Sequence, residues 1–140
     1  MESVEKSVIV NVPVGKVYRQ WAQIEDFPKF MPSVRELRRL DENHFHWRVT
    51  RGEREYDATF EIVLRIPERR IAWRTSCGAE SSGVVSFEPQ PGGGTRVTFK
   101  MKYAPNAGWD SKESLLRRLT YRLSNFKFLM EQSDKPAAAG

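Results

Sequence analysis

The stretch DSKESLLRRLTYRLSNFKFLME, Asp110 to Glu131, reads as one long amphipathic helix. Leu115, Leu119, Leu123, Phe126 and Met130 recur at helical spacing, and Leu116 and Leu129 widen the stripe. Asp110-Ser111-Lys112-Glu113 has the spacing of a capping box at its start. The chain from about residue 33 to residue 103 reads as strands instead. A single helix that follows a run of antiparallel strands buries its apolar side against one face of their sheet.

Working outward, the strand-like segments are Val34 to Leu40, Phe45 to Thr50, Glu55 to Ile66, Arg70 to Thr75, Gly83 to Glu88 and Thr95 to Tyr103. Short turn-forming breaks separate them, among them Asp41-Glu42-Asn43, Pro67-Glu68 and Pro91-Gly92-Gly93-Gly94. Connections this short imply antiparallel hairpins, because parallel pairing needs long crossovers. Alternation assigns the faces. Phe45, Trp47 and Val49 share one side, as do Tyr56, Ala58, Phe60, Ile62 and Leu64. Ile71, Trp73 and Thr75, then Val97, Phe99, Met101 and Tyr103, continue that dry face. Ahead of these strands, Val4 to Val12 reads as a first strand and Pro13 to about Gln23 as a short helix buried through Val14, Val17, Tyr18 and Trp21. Pro28 and Pro32 limit the following segment to one helical turn.

The 140 residues suit one domain, expected over 1–132 with a flexible tail over 133–140. The lone Cys77 has no partner in the chain, which fits a reducing cytoplasm. No apolar run approaches the roughly 18 residues of a membrane span, and Met1-Glu2-Ser3-Val4-Glu5 lacks the features of a signal peptide. The net charge of +5 is spread among interleaved acids and bases, and no aromatic-basic motif predicts nucleic-acid binding. His44 and His46 share a strand face, but no further ligand accompanies them, so no metal is expected. The glycine run before Thr95 opens a strand rather than a helix and lacks the Gly-Lys-Ser/Thr of a phosphate loop. No nucleophile elbow or catalytic Cys–His signature is present, and no cofactor is implied.

The order strand, two helices, six strands and long helix, with Pro13-Val14-Gly15-Lys16-Val17-Tyr18, Trp21 and Ile24-Glu25-Asp26-Phe27-Pro28-Lys29-Phe30-Met31, resembles the START-like (SRPBCC) superfamily. Arg69-Arg70-Ile71-Ala72-Trp73-Arg74, Gly83-Val84-Val85-Ser86-Phe87 and Gly94-Thr95-Arg96-Val97-Thr98 extend the resemblance to its polyketide cyclase/dehydrase-like proteins. It covers roughly Val4 to Glu131 and implies an α+β helix-grip fold: a curved antiparallel seven-stranded sheet wrapped around a long C-terminal helix, with two short helices after strand 1. It also implies a ligand cavity between sheet and last helix, and either a polyketide cyclase or dehydratase, or a non-catalytic binder of a lipid or quinone. Some aromatic polyketide cyclases place an arginine two residues before the proline that follows the long strand. Arg65-Ile66-Pro67 is similar, although Thr59, Glu61 and Val63 depart from the aromatics and serine placed upstream there.

On this reading Trp47, Phe60, Trp73 and Thr75 are candidate ligand contacts, joined by Phe99, Met101, Leu119 and Leu123. Tyr18, Tyr121, Ser124 and Asn125 are polar groups within reach of the same side. Tyr56 and Tyr103 are candidate proton handlers, with Arg65 or Arg48 to stabilise an enolate. Alternation places Arg65 on the wet face unless a bulge re-aims it. Arg117, Arg118 and Arg122 read as a solvated helix face, or as a docking patch for an acyl carrier protein. Trp109 is a candidate cover for the cavity mouth.

Overall fold

The computed structural model describes residues 2–51, 53–77, 80–104 and 111–133. Strand β1 (Glu2–Val10) leads into helix α1 (Val14–Ala22) and a 3-10 helix over Ile24–Lys29. Six strands follow: β2 (Val34–Arg39), β3 (His44–Arg51), β4 (Arg54–Ile66), β5 (Arg70–Cys77), β6 (Ser81–Pro89) and β7 (Thr95–Tyr103). Helix α2 (Lys112–Ser133) closes the described chain. All strand pairs are antiparallel, in the order β1-β7-β6-β5-β4-β3-β2. The segment containing α1 and the 3-10 helix thus carries the chain from one edge of the sheet to the other, and the later strands return by successive hairpins. This is the predicted helix-grip arrangement.

Short-range chemistry explains the turning points. Pro13 has φ of −59° and immediately precedes α1, whose buried side is Val17, Tyr18 and Trp21. Between the helices and β2, the amides of Phe30 and Met31 both donate to the Phe27 carbonyl, so the chain tightens around Pro28 before extending. The start of α2 lies slightly beyond the predicted one. The Ser114 amide donates to Ser111 Oγ at 3.2 Å, which makes Ser111 the cap; Asp110 lies outside the described residues. A capping box built on Ser111 needs its carboxylate where Ser114 stands, so the reciprocal half is missing. At the other end α2 runs to Ser133; the tail predicted for 133–140 otherwise lies outside the described residues.

Burial concentrates on one face of the sheet. Phe45, Phe60, Ile62, Ile71, Val85, Phe87, Val97, Phe99 and Met101 are buried there, against Leu115, Leu119, Leu123, Phe126 and Met130 of α2. An aromatic knot joins the three helical elements. The Phe126 ring lies 4.9 Å from that of Trp21 and 5.0 Å from that of Phe30, both edge-on.

The outer side of edge strand β1 is tied to α2. Lys127 Nζ donates to the Ile9 carbonyl at 2.8 Å, and the Asn11 amide donates to Glu131 Oε2 at 2.9 Å, while Lys127 and Glu131 pair with each other. The Lys127 hydrogen bond and then the Asn11 amide hold the Glu131 carboxyl below its ordinary value of 4.5. A lowered folded-state value stabilises the fold above pH about 4.5, and this contribution is lost as pH falls through the lowered value. Glu131→Gln should therefore be less stable than the native chain at neutral pH, with the gap closing in acid. Denaturant midpoints at pH 7 and pH 3 check this, and equal gaps at both would contradict it.

Candidate functional site

A narrow apolar cleft opens between the sheet and the helical elements. Trp21 of α1, Ile24 and Phe27 of the 3-10 helix, and Met31 form one side. Trp47 of β3, Phe60 and Ile62 of β4, Ile71 and Trp73 of β5, and Phe99 of β7 form the other, with Arg122 of α2 at the margin. Water centres have about 40 Å³ to occupy, while all non-atom space out to the open mouth amounts to about 470 Å³. The smaller figure decides what fits at rest, and it corresponds to about three waters. Most of the wall is fully buried, but Trp47, Trp73 and Arg122 are only half-buried.

Aromatic packing sets the shape of the wall. The Trp47 ring stands edge-on to Phe60 at 5.1 Å, and Phe45 stacks on Phe60 from below at 5.4 Å. Trp73 faces Phe99 at 6.2 Å and lies opposite Gly83 in the β5–β6 register. A Cβ at Gly83 would stand 2.8 Å from Trp73 Cζ2 and 2.6 Å from the Lys100 carbonyl oxygen. The glycine thus leaves the space in which the indole lies across β6. Sequence reading did not single out Gly83, because only the cross-strand register reveals its neighbour.

Arg122 is the charged residue of the lining. Its guanidinium donates to Ser33 Oγ at 3.2 Å, while Asn125 one turn later donates to the Phe30 carbonyl at 3.3 Å. Together they fasten the Phe30–Ser33 turn to α2. The sequence grouped Arg122 with Arg117 and Arg118 on a wet face; the structure turns it inward. Its position three residues after Leu119 and four before Phe126 was the available signal.

The predicted contacts divide into two sets. Trp47, Phe60, Trp73 and Phe99 line the cleft. Met101, Leu119 and Leu123 are buried in the surrounding core, and Thr75 pairs its hydroxyl with that of Ser81 at 2.6 Å. The predicted proton handlers are placed elsewhere. Tyr103 is buried opposite Ser81 at the far end of β7, and Tyr56 is half-buried opposite Val49; neither is among the lining side chains. A register shift between Ile62 and Leu64 does re-aim Arg65, which now lies opposite buried Ile71. Leu64, expected on the dry face, is correspondingly exposed. The Arg65 guanidinium nonetheless donates to Asn43 Oδ1 at 2.8 Å and to the Glu42 carbonyl at 3.0 Å, so it braces the β2–β3 turn.

Arg48 lies on the outer face beside Asp57, Glu36 and Glu55; its hydrogen bond to Asp57 raises its pKa. Tyr18 packs on Phe87 at 5.5 Å, and burial raises its phenol above its usual value against the opposing charge of Arg65. Tyr121 and Ser124 are exposed on α2 rather than turned inward. His44 engages Asp41 and Glu61, while His46 approaches Asp57; no group of three metal-binding side chains converges among the described residues. Cys77 is exposed. Trp109 lies outside the described residues, and no described helix is long and apolar enough to cross a membrane.

Residues 10–125 match a family model described as polyketide cyclase/dehydrase and lipid transport. An uncharacterised 17.2 kDa Streptomyces lincolnensis protein from the melC2–rnhH intergenic region is 39% identical over 110 residues, covering 76% of this chain and 72% of that one. Among solved structures, a START superfamily protein from Mycobacterium smegmatis superposes with a TM-score of 0.79 at 13% identity, covering 93% of this chain and 97% of the other. The Zhui aromatase/cyclase from Streptomyces sp. R1128 gives 0.76 at 17% identity, covering 99% and 98%. At these identities the two structures establish the shared fold.

Proposed function

Because the chain belongs to the polyketide cyclase/dehydrase and lipid transport family, we propose that its cleft binds a flat, hydrophobic small molecule. The observation that carries this reading is an almost wholly apolar wall in which Trp21, Trp47 and Trp73 come from three different elements. Such a surface recognises fused or conjugated rings by contact area rather than by many hydrogen bonds. The resting space of about 40 Å³ is too small for a ring system, so binding requires outward movement of the half-buried wall. Trp47 and Trp73 are the side chains that swing.

Native mass spectrometry of freshly purified protein, followed by calorimetric titration with flat apolar compounds, tests the reading. The expected result is saturable one-to-one binding. Failure of every such compound to bind would contradict it.

Cyclisation or dehydration of a bound poly-carbonyl chain is the second reading, and the family match favours it. The reaction needs a proton handler at the substrate; Tyr56, Tyr103 and Arg65 are the candidates by sequence, and since none lines the resting cleft they would act only on a substrate that reaches beyond it. If Tyr56→Phe, Tyr103→Phe and Arg65→Ala all left conversion unchanged, these assignments would be wrong. Delivery by an acyl carrier protein would use the exposed Arg117 with Arg118, and would weaken as salt rises.

A further inference from the structure

We infer that the ligand carries an oxygen substituent on its flat apolar body, a ring hydroxyl or carbonyl, and that the paired hydroxyls of Thr75 and Ser81 orient it. The inference rests on the binding reading above and deepens it.

Position comes first. Thr75 lies on the inner face of β5, two residues after Trp73 and opposite Phe60 in the β4–β5 register. Both of those neighbours line the cleft. Trp47, the other half-buried tryptophan of the wall, stands edge-on to the same Phe60 at 5.1 Å. The floor between the two tryptophans is therefore Phe60 with Thr75. The resting cleft stops short of Thr75, but a ring admitted by outward movement of Trp47 and Trp73 lies over this floor. Thr75 Oγ1 is 2.6 Å from Ser81 Oγ on β6, and Ser81 is 5% exposed, opposite the buried Tyr103.

The chemistry follows from counting donors. Each hydroxyl has one O–H and two lone pairs, and a mutual hydrogen bond uses only one O–H of the two. Among the described residues the second O–H has no acceptor. The pair can thus donate one hydrogen bond and accept others, at the edge of a wall built mainly of tryptophan, phenylalanine and isoleucine. Such cross-strand hydroxyl pairs are ordinary on a solvated face, where water takes the second donor. On this inner face a valine with an alanine would close the wall without the cost of desolvating two hydroxyls. A phenolic or ketonic oxygen on the ring takes the second O–H, and this fixes which edge of the ring points towards β6.

The test compares 2-naphthol with 2-methylnaphthalene, which carries a methyl in place of the hydroxyl, by titration calorimetry. The proteins are the native chain, Thr75→Val and Thr75→Ser, with thermal melts confirming folding. The quantity read is the preference for naphthol over the methyl compound, so that changes in apolar contact cancel between the two ligands. Thr75→Val should lower this preference roughly 5- to 10-fold from its native value, the worth of about one net hydrogen bond. Thr75→Ser should keep it. Should Thr75→Val fail to fold, Thr75→Ala against Thr75→Ser carries the same comparison. A preference that the loss of the Thr75 hydroxyl leaves unchanged, or native binding of the methyl compound alone, overturns the orienting role while the binding function stands. Native binding of neither compound overturns both.

Discussion

Phe126→Ala should cost about 3–5 kcal/mol of folding stability, the usual result of deleting a buried phenylalanine ring. That is a large share of the 5–15 kcal/mol that holds a typical domain together. The ring is 0% exposed, and its neighbours are themselves braced. Trp21 lies 5.7 Å from Phe27 and 6.4 Å from both Phe87 and Phe99, while Phe30 lies 5.5 Å from Phe27. Surroundings this interlocked cannot collapse into the void, which places the cost at the upper end of the range. Phe128, two residues along the same helix and 67% exposed, supplies the control: its alanine variant should stay within about 0.5 kcal/mol of native. Denaturant unfolding followed by circular dichroism measures both. A loss below about 1 kcal/mol for Phe126→Ala would mean that α2 is not anchored through this ring.

The contrast between Phe126 and Phe128 was legible in the sequence, because a helical stripe identifies its own buried members. The strands were legible on the same grounds, and the face assignments hold from Phe45 through Ile62. They fail at Val63. The register shift beside it is set by how β4 pairs with β5, and nothing in either strand alone announces it. One extra residue sends Leu64 outward and re-aims Arg65. Arg122 shows a different blind spot. Charge assigns a helical arginine to water and masks the place of Arg122 between Leu119 and Phe126 on the stripe; its meeting with Ser33, 89 residues away in sequence, accompanies the inward orientation. The width of the cleft was also beyond reach. Alternation says which side is dry, but the gap left between dry surfaces depends on how the rings interlock.

Gly83→Ala gives the second large expected effect, and its sign is diagnostic. A glycine within a strand is ordinarily a weak point, so alanine in its place should stabilise if nothing else intervened. Here the new methyl would lie 2.6 Å from the Lys100 carbonyl oxygen and within 2.9 Å of the Trp73 ring at two atoms. β6 must draw away from the Lys100 carbonyl of β7, and the indole must also leave its place across β6; both shifts distort a packed surface. A cost of about 1–3 kcal/mol follows, with Gly83→Val worse. The half-buried Trp73 indole, once displaced, has the cleft beside it. The variant should therefore show altered tryptophan emission and at least a roughly tenfold loss of affinity for a flat apolar compound such as naphthalene, equivalent to about 1.4 kcal/mol. A variant as stable as the native chain, with unchanged emission, would mean that Trp73 does not rest on Gly83. The wall of the cleft would then need to be redrawn around Trp21 and Trp47.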